Sequence, residues 1–560
     1  MSAPPRLGRR LARTVVSVVA LSLLAAGCAD SGGSGSGGAA KDTVVVVTGD
    51  QASNVVRDYG FTNGTDNQEV TNSIHAQLIR KPYIAEQGAN VQVQDLYHFE
   101  PFLAQSYDVS QDGKVFTFHL RQGLKSQQGN ELTSADVVWS FERKFSSKGG
   151  GMPGYYAPML TDVDKQVVAV DKYTVTFTID QPGYGFTLLG NLAENIGSIY
   201  DSTYLTQHAS ADDPYAINWG VSSMLNGNSG FGPYMLQSIT PNQEIVMVAN
   251  PNYVFGPLPI KTMIRRVVPD AATRANMLVQ GDADVALDLR PTDQADLASN
   301  PDIFTPTATS NLYQSITLNT RRAPFDNVLV RRALAYAVPY DRIIDDVYKG
   351  RAYAYQHLLD DKQPYYDGSK LPKYTYDPAK AKDLLAQAGI TTPVAFTMTV
   401  SNASPSVQDS VVVLAAAAKD AGFDITINQV PAAQLFSDGL AGRLQASMST
   451  GSAVTMSPPY ELNLLTQVGG GSNTSFWSGP DYDAFAAVMK QGLASTDAIG
   501  PEAGPLWSQA ETMLVNSGAN IFLARVMSPY SMRADVHGYA QRTDRRIDYS
   551  AVSIGGEANS

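Results

Sequence analysis

The stretch PFLAQSYDVSQDGKVFTFHLRQGLKSQQGNELTSADVVWSFER, residues 101–143, carries strand, turn and helix signals in close order. Residues 107–109 and 115–120 flank Gln111-Asp112-Gly113-Lys114, and Asp-Gly between alternating segments signals a β-hairpin. Phe116, Phe118 and Leu120 then share one face. Thr133 or Ser134 starts a helix through Lys144, with Asp136 placed as the acidic member of a capping box and Val137, Val138 and Phe141 as its apolar stripe. Residues 167–170 and 173–179 repeat the hairpin pattern around Asp171-Lys172.

Upstream, KDTVVVVT (41–48) is a continuous apolar run, as a buried strand requires; 51–67 reads as a loop and 72–80 as a helix. Downstream, 244–249 and 262–268 read as strands, and 271–280 as a helix ending at Gly281. The later half is more helical: 330–338 is one helix, Pro339 opens another to about Lys349, and Asp377-Pro378 caps a third that stops at Gly389. Mixed strands and helices over this length predict α/β lobes, and the chain shows no internal repeat and no heptads.

The first 27 residues hold Arg6, Arg9, Arg10 and Arg13, no acidic residue, and an apolar run from Val15 to Ala26. That is the layout of a secretory signal, and the run is shorter than the roughly 20 residues of a membrane span. Arg9-Arg10 also admits twin-arginine export, on a weak pattern. Leu24-Ala25-Ala26-Gly27-Cys28 resembles a bacterial lipobox, with Ala25 where leucine is commoner. Cys28, the one cysteine of the chain, is expected to carry the lipid and hold the exported protein on the outer face of the membrane. Ser31-Gly32-Gly33-Ser34-Gly35-Ser36-Gly37-Gly38 reads as a flexible tether. Cleavage before Cys28 leaves 37 basic and 53 acidic residues, a balance that argues against nucleic acid and against a basic membrane-binding surface. Roughly 530 mature residues imply two or three domains, and with no second cysteine the fold holds no disulfide.

Enzyme signatures are missing. The sequence has no G-x-S-x-G elbow, no H-E-x-x-H and no G-x-x-x-x-G-K-[ST] loop. The six histidines have no ligand spacing, so neither a metal nor a cofactor is expected. Gly281-Asp282-Ala283-Asp284 reads as a helix-to-strand turn with solvated charges, and His119 as a surface or packed residue.

Residues 101–143 resemble the signature region of the family 5 extracellular solute-binding proteins, the oligopeptide and dipeptide receptors of ABC importers. The resemblance continues in Gly230-Phe231-Gly232-Pro233-Tyr234, Asn250-Pro251-Asn252-Tyr253, Gly281-Asp282-Ala283-Asp284, Leu318-Asn319-Thr320, Pro324-Phe325-Asp326, Val330 through Ala337, and Tyr376-Asp377-Pro378. Asp481-Tyr482-Asp483 follows less sharply, so that nearly the whole mature chain is covered. It implies an α/β, two-lobed periplasmic-binding-protein-like fold of type II with an additional inserted domain, closing on its ligand by hinge motion. Lobe I would comprise 43–70, 185–310 and 525–560, the inserted domain 71–184 and lobe II 311–524, after the signal (1–27) and the tether (28–42).

The same resemblance implies a monomer that passes a peptide to membrane permease subunits and breaks no bond in it. By family position, Thr48, Gly49 and Asp50 face the cleft from one lobe, with Asn228, Ser229 and Phe231. From the other lobe, Thr450, Gly451, Ser452 and Ala453, with Val454 after them, present an extended edge to the ligand backbone. One departure matters: Met456-Ser457-Pro458-Pro459-Tyr460-Glu461 lacks the aspartate that pairs with a peptide's amino group. Glu461 either replaces it or is a solvated helix-start residue, and the second reading is favoured. Arg443 is expected at the surface. The departure keeps open a receptor for a sugar, a metal complex or a modified peptide. A secreted hydrolase and a receptor that only signals stand further off.

Overall fold

The continuous run of valines in Thr43–Thr48 becomes the middle of a seven-stranded sheet, parallel to Thr262–Val267 on one side and to Val285–Ala286 on the other. Val44 and Val46 enter one apolar cluster and Val47 another, so both faces are covered. The coordinates are a computed structural model that describes residues 41–52, 65–146, 152–157, 159–453, 455–467, 473–542 and 546–555. The chain divides into residues 1–38 and 39–560. The signal, Cys28 and the tether as far as residue 40, together with Val454, lie outside the described residues.

The sheet is completed by Tyr234–Thr240 and Glu244–Ala249 at one end, and by Ser531–Arg533 and Ile303–Phe304 at the other. A second sheet of six strands is built from residues 309–527, in the order Ala352–Ala354, Asn520–Met527, Thr309–Leu318, Ala446–Ser452, Val394–Ser401, Phe423–Val430. These are the two lobes. The chain enters the second through Thr309–Leu318 and leaves through Asn520–Met527, and the two crossing strands pair antiparallel. Beside that crossing, Gln294 of the first lobe donates to the carbonyls of Ser528 (3.0 Å) and Tyr530 (2.7 Å). Arg351 of the second lobe donates to the carbonyl of Pro306 at 2.5 Å.

A four-stranded antiparallel sheet follows the hairpin signals: Ala104–Val109, Val115–Leu120, Thr174–Thr178, Val167–Asp171. Its turn is made at Gly113, φ +70°, a conformation that favours glycine. Phe116, Phe118 and Leu120 are buried on one face. The helix Ser134–Ser146 lays Phe141 edge-on against Phe177, ring centroids 4.9 Å apart. Asp136 accepts the Thr133 N–H at 2.7 Å, the capping contact that the sequence implied. The helix Pro378–Gln387 is capped by Asp377, which accepts the Lys380 N–H.

Three local expectations change. The helix expected at 72–80 lies earlier, at Thr65–Ile74, and the chain is extended by Ile79–Arg80. Ala76 instead pairs with Ile199, and Gly230 and Gly232 pack directly on the backbone of Ile74 and His75. A Cβ at Gly230 would fall 2.5 Å from the Ile74 carbonyl oxygen, which explains the glycines of that motif. The helix expected from Pro339 to Lys349 runs as Tyr340–Arg342 and then widens to a π-turn over Ile343–Val347. Asp284 is not solvated: it is buried, and its carboxylate accepts the Val45 N–H at 2.8 Å, closing the edge of the first strand.

Two buried ion pairs join segments distant in sequence. Lys81 meets Glu194 at 2.8 Å and Arg265 meets Glu69 at 3.1 Å. Removing one partner of such a pair leaves an uncompensated charge, at about 3–5 kcal/mol. Lys81→Met is therefore expected to lower the thermal midpoint in a circular-dichroism melt, and Glu194→Leu added to it to restore most of the loss. An unchanged midpoint in the single variant would refute this. His75 is wholly buried, edge-on to Tyr200, and its pKa is pushed down to about 3, first by burial and then by Lys144 and Arg143. The unfolded chain takes up a proton below about pH 6.5 that the folded chain refuses, so stability falls from there toward pH 3 by roughly 3–5 kcal/mol. In His75→Phe, urea melts across that range should show a flatter pH dependence, whatever the variant's stability at pH 7.

Candidate ligand site

The strand Ala446–Ser452 (ASMSTGS) consists mostly of small residues, which leaves its backbone accessible. On one side it pairs with Thr309–Leu318 as far as Leu312↔Ser452, but on the other its pairing with Val394–Ser401 stops at Thr399↔Ser447. Residues 448–452 therefore have one paired edge and, among the described residues, one edge without a strand partner. Gly451 lies on the Tyr313 ring, where a Cβ would fall 2.6 Å from Cζ. The strand end is pinned: Ala453 N–H donates to the Asn311 carbonyl at 3.1 Å, and Asn311 Nδ2 donates back to the Ala453 carbonyl.

The turn that follows is bound to the other side of the molecule. Ser457 Oγ shares a hydrogen bond with Thr187 Oγ1 at 2.6 Å, and Asn463 Nδ2 donates to the Tyr184 hydroxyl at 2.7 Å. Glu461 departs from the favoured expectation. It is 2 % exposed, and its carboxylate accepts the Thr455 N–H at 2.9 Å. It stands in the first turn of the helix Pro458–Thr466, where exposed N–H groups and the helix dipole stabilise an anion. Arg443 is at the surface, in an ion pair with Asp438.

In the first lobe, Thr48 is buried, and its carbonyl accepts the Val268 N–H at 2.8 Å. A Cβ at Gly49 would sit 3.2 Å from the Arg274 guanidinium. Asp50 is exposed and accepts the N–H of Gln51. Asn228 straps the chain, its amide exchanging two 2.7 Å hydrogen bonds with the Leu236 backbone. Ser229 accepts the Asp201 N–H at its carbonyl, and Phe231 is buried in the largest apolar cluster. The loop after Thr48 is described only to residue 52.

A cavity of about 440 Å³ opens beside the pinned strand end, within the usual range for small-ligand sites. Its walls come from segments far apart in sequence: 84–87 and 93–97, Ser310 and Asn311 at the crossing, Tyr353 and Tyr355, 360–362, Met456 and Arg525. Arg525 lies over the Tyr355 ring at 4.6 Å and donates to the Leu358 carbonyl at 2.6 Å. Lys362 pairs with Glu86 across the cavity. Burial, and next the charge of Asp360, hold the Tyr97 hydroxyl far above its ordinary pKa. No group of three or more His, Cys, Asp or Glu among the described residues is placed to hold a metal ion. Apart from Met456, which opens the segment after the edge, none of these wall residues was singled out in the sequence; the acidic pair Asp360-Asp361 was the nearest available signal.

Compared with known families, residues 98–473 match the bacterial extracellular solute-binding proteins, family 5, middle region. The chain is 33 % identical over 303 residues to heme-binding protein A of Haemophilus influenzae, covering 52 % of this chain and 54 % of that protein. It is 32 % identical over 304 residues to the dipeptide-binding protein of Escherichia coli, covering 52 % and 55 %. The matched stretch thus spans about half the length of those relatives. Among solved structures, the periplasmic binding protein DppA of Helicobacter pylori, in complex with the peptide STSA, superposes with a TM-score of 0.76 at 22 % identity, covering 92 % of this chain and 98 % of that one. NikA of Brucella suis, in complex with Fe(III)-EDTA, superposes at 0.75 and 18 % identity, covering 92 % and 100 %. With its two α/β lobes, its paired crossing strands and a family match over two thirds of its length, the chain belongs to the family 5 bacterial extracellular solute-binding proteins, which bind solutes and are not enzymes.

Proposed function

We propose that this chain is the receptor of an ABC importer, capturing a short peptide between its lobes and presenting it to membrane permease subunits as a lipid-anchored monomer. The observation that carries the reading is the open edge of Ala446–Ser452. A strand with one free edge pairs with an extended peptide through main-chain hydrogen bonds, which accept any side chain. Gly49 and Asp50 would face the ligand from the first lobe, with the backbone of the Asn228–Phe231 turn, since the side chains of Thr48, Ser229 and Phe231 are buried in the fold. The relatives named dipeptide-binding and di/tripeptide-binding agree with a peptide. Lobe closure then follows from contacts to both sides, because a ligand that bridges the lobes binds the closed form better.

A non-peptide solute is the second reading, and one observation favours it. No aspartate follows the edge, and the Glu461 carboxylate already serves its own turn. The relative named for heme and the neighbour solved with Fe(III)-EDTA show that relatives of this fold carry such names and ligands.

Incubating the purified chain with a mixture of di- to pentapeptides, followed by native mass spectrometry, is expected to show retained, uncut peptides. Cleaved products would refute the receptor reading, and retention of a non-peptide solute alone would refute the peptide. Cys28→Ala is expected to abolish incorporation of radiolabelled palmitate and to release the protein from the membrane fraction. A variant that stayed membrane-bound would remove the anchor.

A further inference from the structure

The turn that follows the open edge is held from the far side of the molecule by small, neutral groups. In the helix Gly185–Ala193, Thr187 and Gly190 stand three residues apart and so share a face. Thr187 Oγ1 is hydrogen-bonded to Ser457 Oγ at 2.6 Å, and a Cβ at Gly190 would stand 3.1 Å from the Thr455 Cβ. Just before the helix, the Tyr184 hydroxyl accepts from Asn463 Nδ2 at 2.7 Å. Gly183 lies on the main chain of Leu493, where a Cβ would fall 2.5 Å from Cα. Thr187, Thr455 and Ser457 are wholly buried, and none of these residues lines the 440 Å³ cavity. Residues 183–190 thus meet 455–463 and 493 of the second lobe along a seam.

Two features set this seam apart from a permanent core. The first is its chemistry. The buried ion pairs Lys81–Glu194 and Arg265–Glu69 both lie to one side of it. A charged contact between the two sides, Lys362 with Glu86, leaves the lysine exposed. Buried charges part only at high cost, whereas neutral hydroxyls and amides exchange one another for water at little net cost. The second is packing. A gap of about 430 Å³ opens along the seam, between residues 180–182 and the helix Pro480–Leu493, lined by Phe485, Met489 and Leu493. Permanent interiors leave few voids larger than a water molecule.

We propose that this seam is a latch: Tyr184 and Thr187 hold Asn463 and Ser457 only while the lobes are closed, and so set ligand affinity without touching the ligand. This rests on the receptor reading above and names positioning residues for it. The edge ends at Ser452, Ala453 is pinned by Asn311, and Thr455 and Ser457 follow directly. A ligand laid along the edge therefore fixes the strand whose continuation carries the latch. In the open form the four polar groups find water. In the closed form a hydroxyl deprived of its partner finds nothing, so removing one partner disfavours closure alone. Apparent affinity falls with the fraction of receptor able to close, whatever the solute, so a latch variant weakens all ligands by one factor.

Thr187→Val removes the hydroxyl at nearly constant volume, and Thr187→Ser keeps it. Calorimetry and stopped-flow binding of Ala-Ala, Ala-Ala-Ala and Leu-Leu-Leu to the full chain read the effect. Thr187→Val and Asn463→Ala are each expected to bind about fivefold more weakly, by one factor for all three peptides and through faster dissociation, with Thr187→Ser close to the unaltered chain. No weakening, or a factor that differs between peptides, overturns the latch and leaves the peptide receptor standing. Gly183→Val supplies a test that needs no ligand, because its added methyl groups meet Leu493 only when the seam is shut. Its thermal midpoint is expected to be unchanged, and its radius of gyration in small-angle scattering to be no smaller than that of the unaltered chain. A lowered midpoint without expansion makes the seam a permanent core contact and overturns the latch. If the unaltered chain binds none of the peptides, the peptide reading falls and Gly183→Val decides the latch by itself.

Discussion

The antiparallel pairing of Thr309–Leu318 with Asn520–Met527 is the constraint on which the rest of the molecule depends. These strands carry the chain into and out of the second sheet, and they lie side by side in its middle. Both crossings therefore belong to one ladder. Gln294 and Arg351 hold the carbonyls of Pro306, Ser528 and Tyr530 just outside the ladder. The edge strand pairs with Thr309–Leu318 on its other side, and Asn311 at the start of that strand pins the end of the edge. The crossing strand and the strand with the open edge are thus neighbours in one sheet, so the position of that edge is set by the crossing.

Much of the architecture was legible because its signals are local. Asp112-Gly113 fixes a hairpin through a turn that wants a positive φ, and Asp377-Pro378 with Gly389 brackets a helix through cap chemistry. Four adjacent valines announce a strand covered on both faces. What misled were residues whose partners are remote. The stretch 72–80 has a helical composition, but its backbone groups are claimed by Ile199 and its packing by Gly230 and Gly232, more than 100 positions away. Asp284 and Glu461 look like solvated charges in any window of ten residues. Each is buried because a main-chain N–H, of Val45 or Thr455, needs an acceptor there. The cavity is the extreme case: nothing local connects residues 95, 311, 360 and 525.

The interior treats charge consistently. Lys81, Glu194, Arg265 and Glu69 are buried in pairs, and Arg274 is buried with its guanidinium donating to the carbonyls of Val268, Pro269, Leu287 and Asp288. A buried charge with several fixed partners is tolerable, and it also specifies which segments meet, since no other pairing satisfies it.

The position of Ser531–Arg533 has a consequence for how the molecule is made. It lies between Val285–Ala286 and Ile303–Phe304, and Ile303–Phe304 has no other partner in that sheet among the described residues. The first sheet therefore begins near residue 43 and cannot be closed until residue 533 has emerged. The second sheet needs only residues 309–527 and can assemble before the first is complete. In a chain that enters its compartment from the N-terminus, the lobe that starts first is finished last, and its apolar faces stay unsealed through most of synthesis and transfer. Such long-range closure is slow and exposes sticky surface. A chain truncated before Ser531 would retain every strand of the second sheet and lack the strand that joins Val285–Ala286 to Ile303–Phe304 in the first.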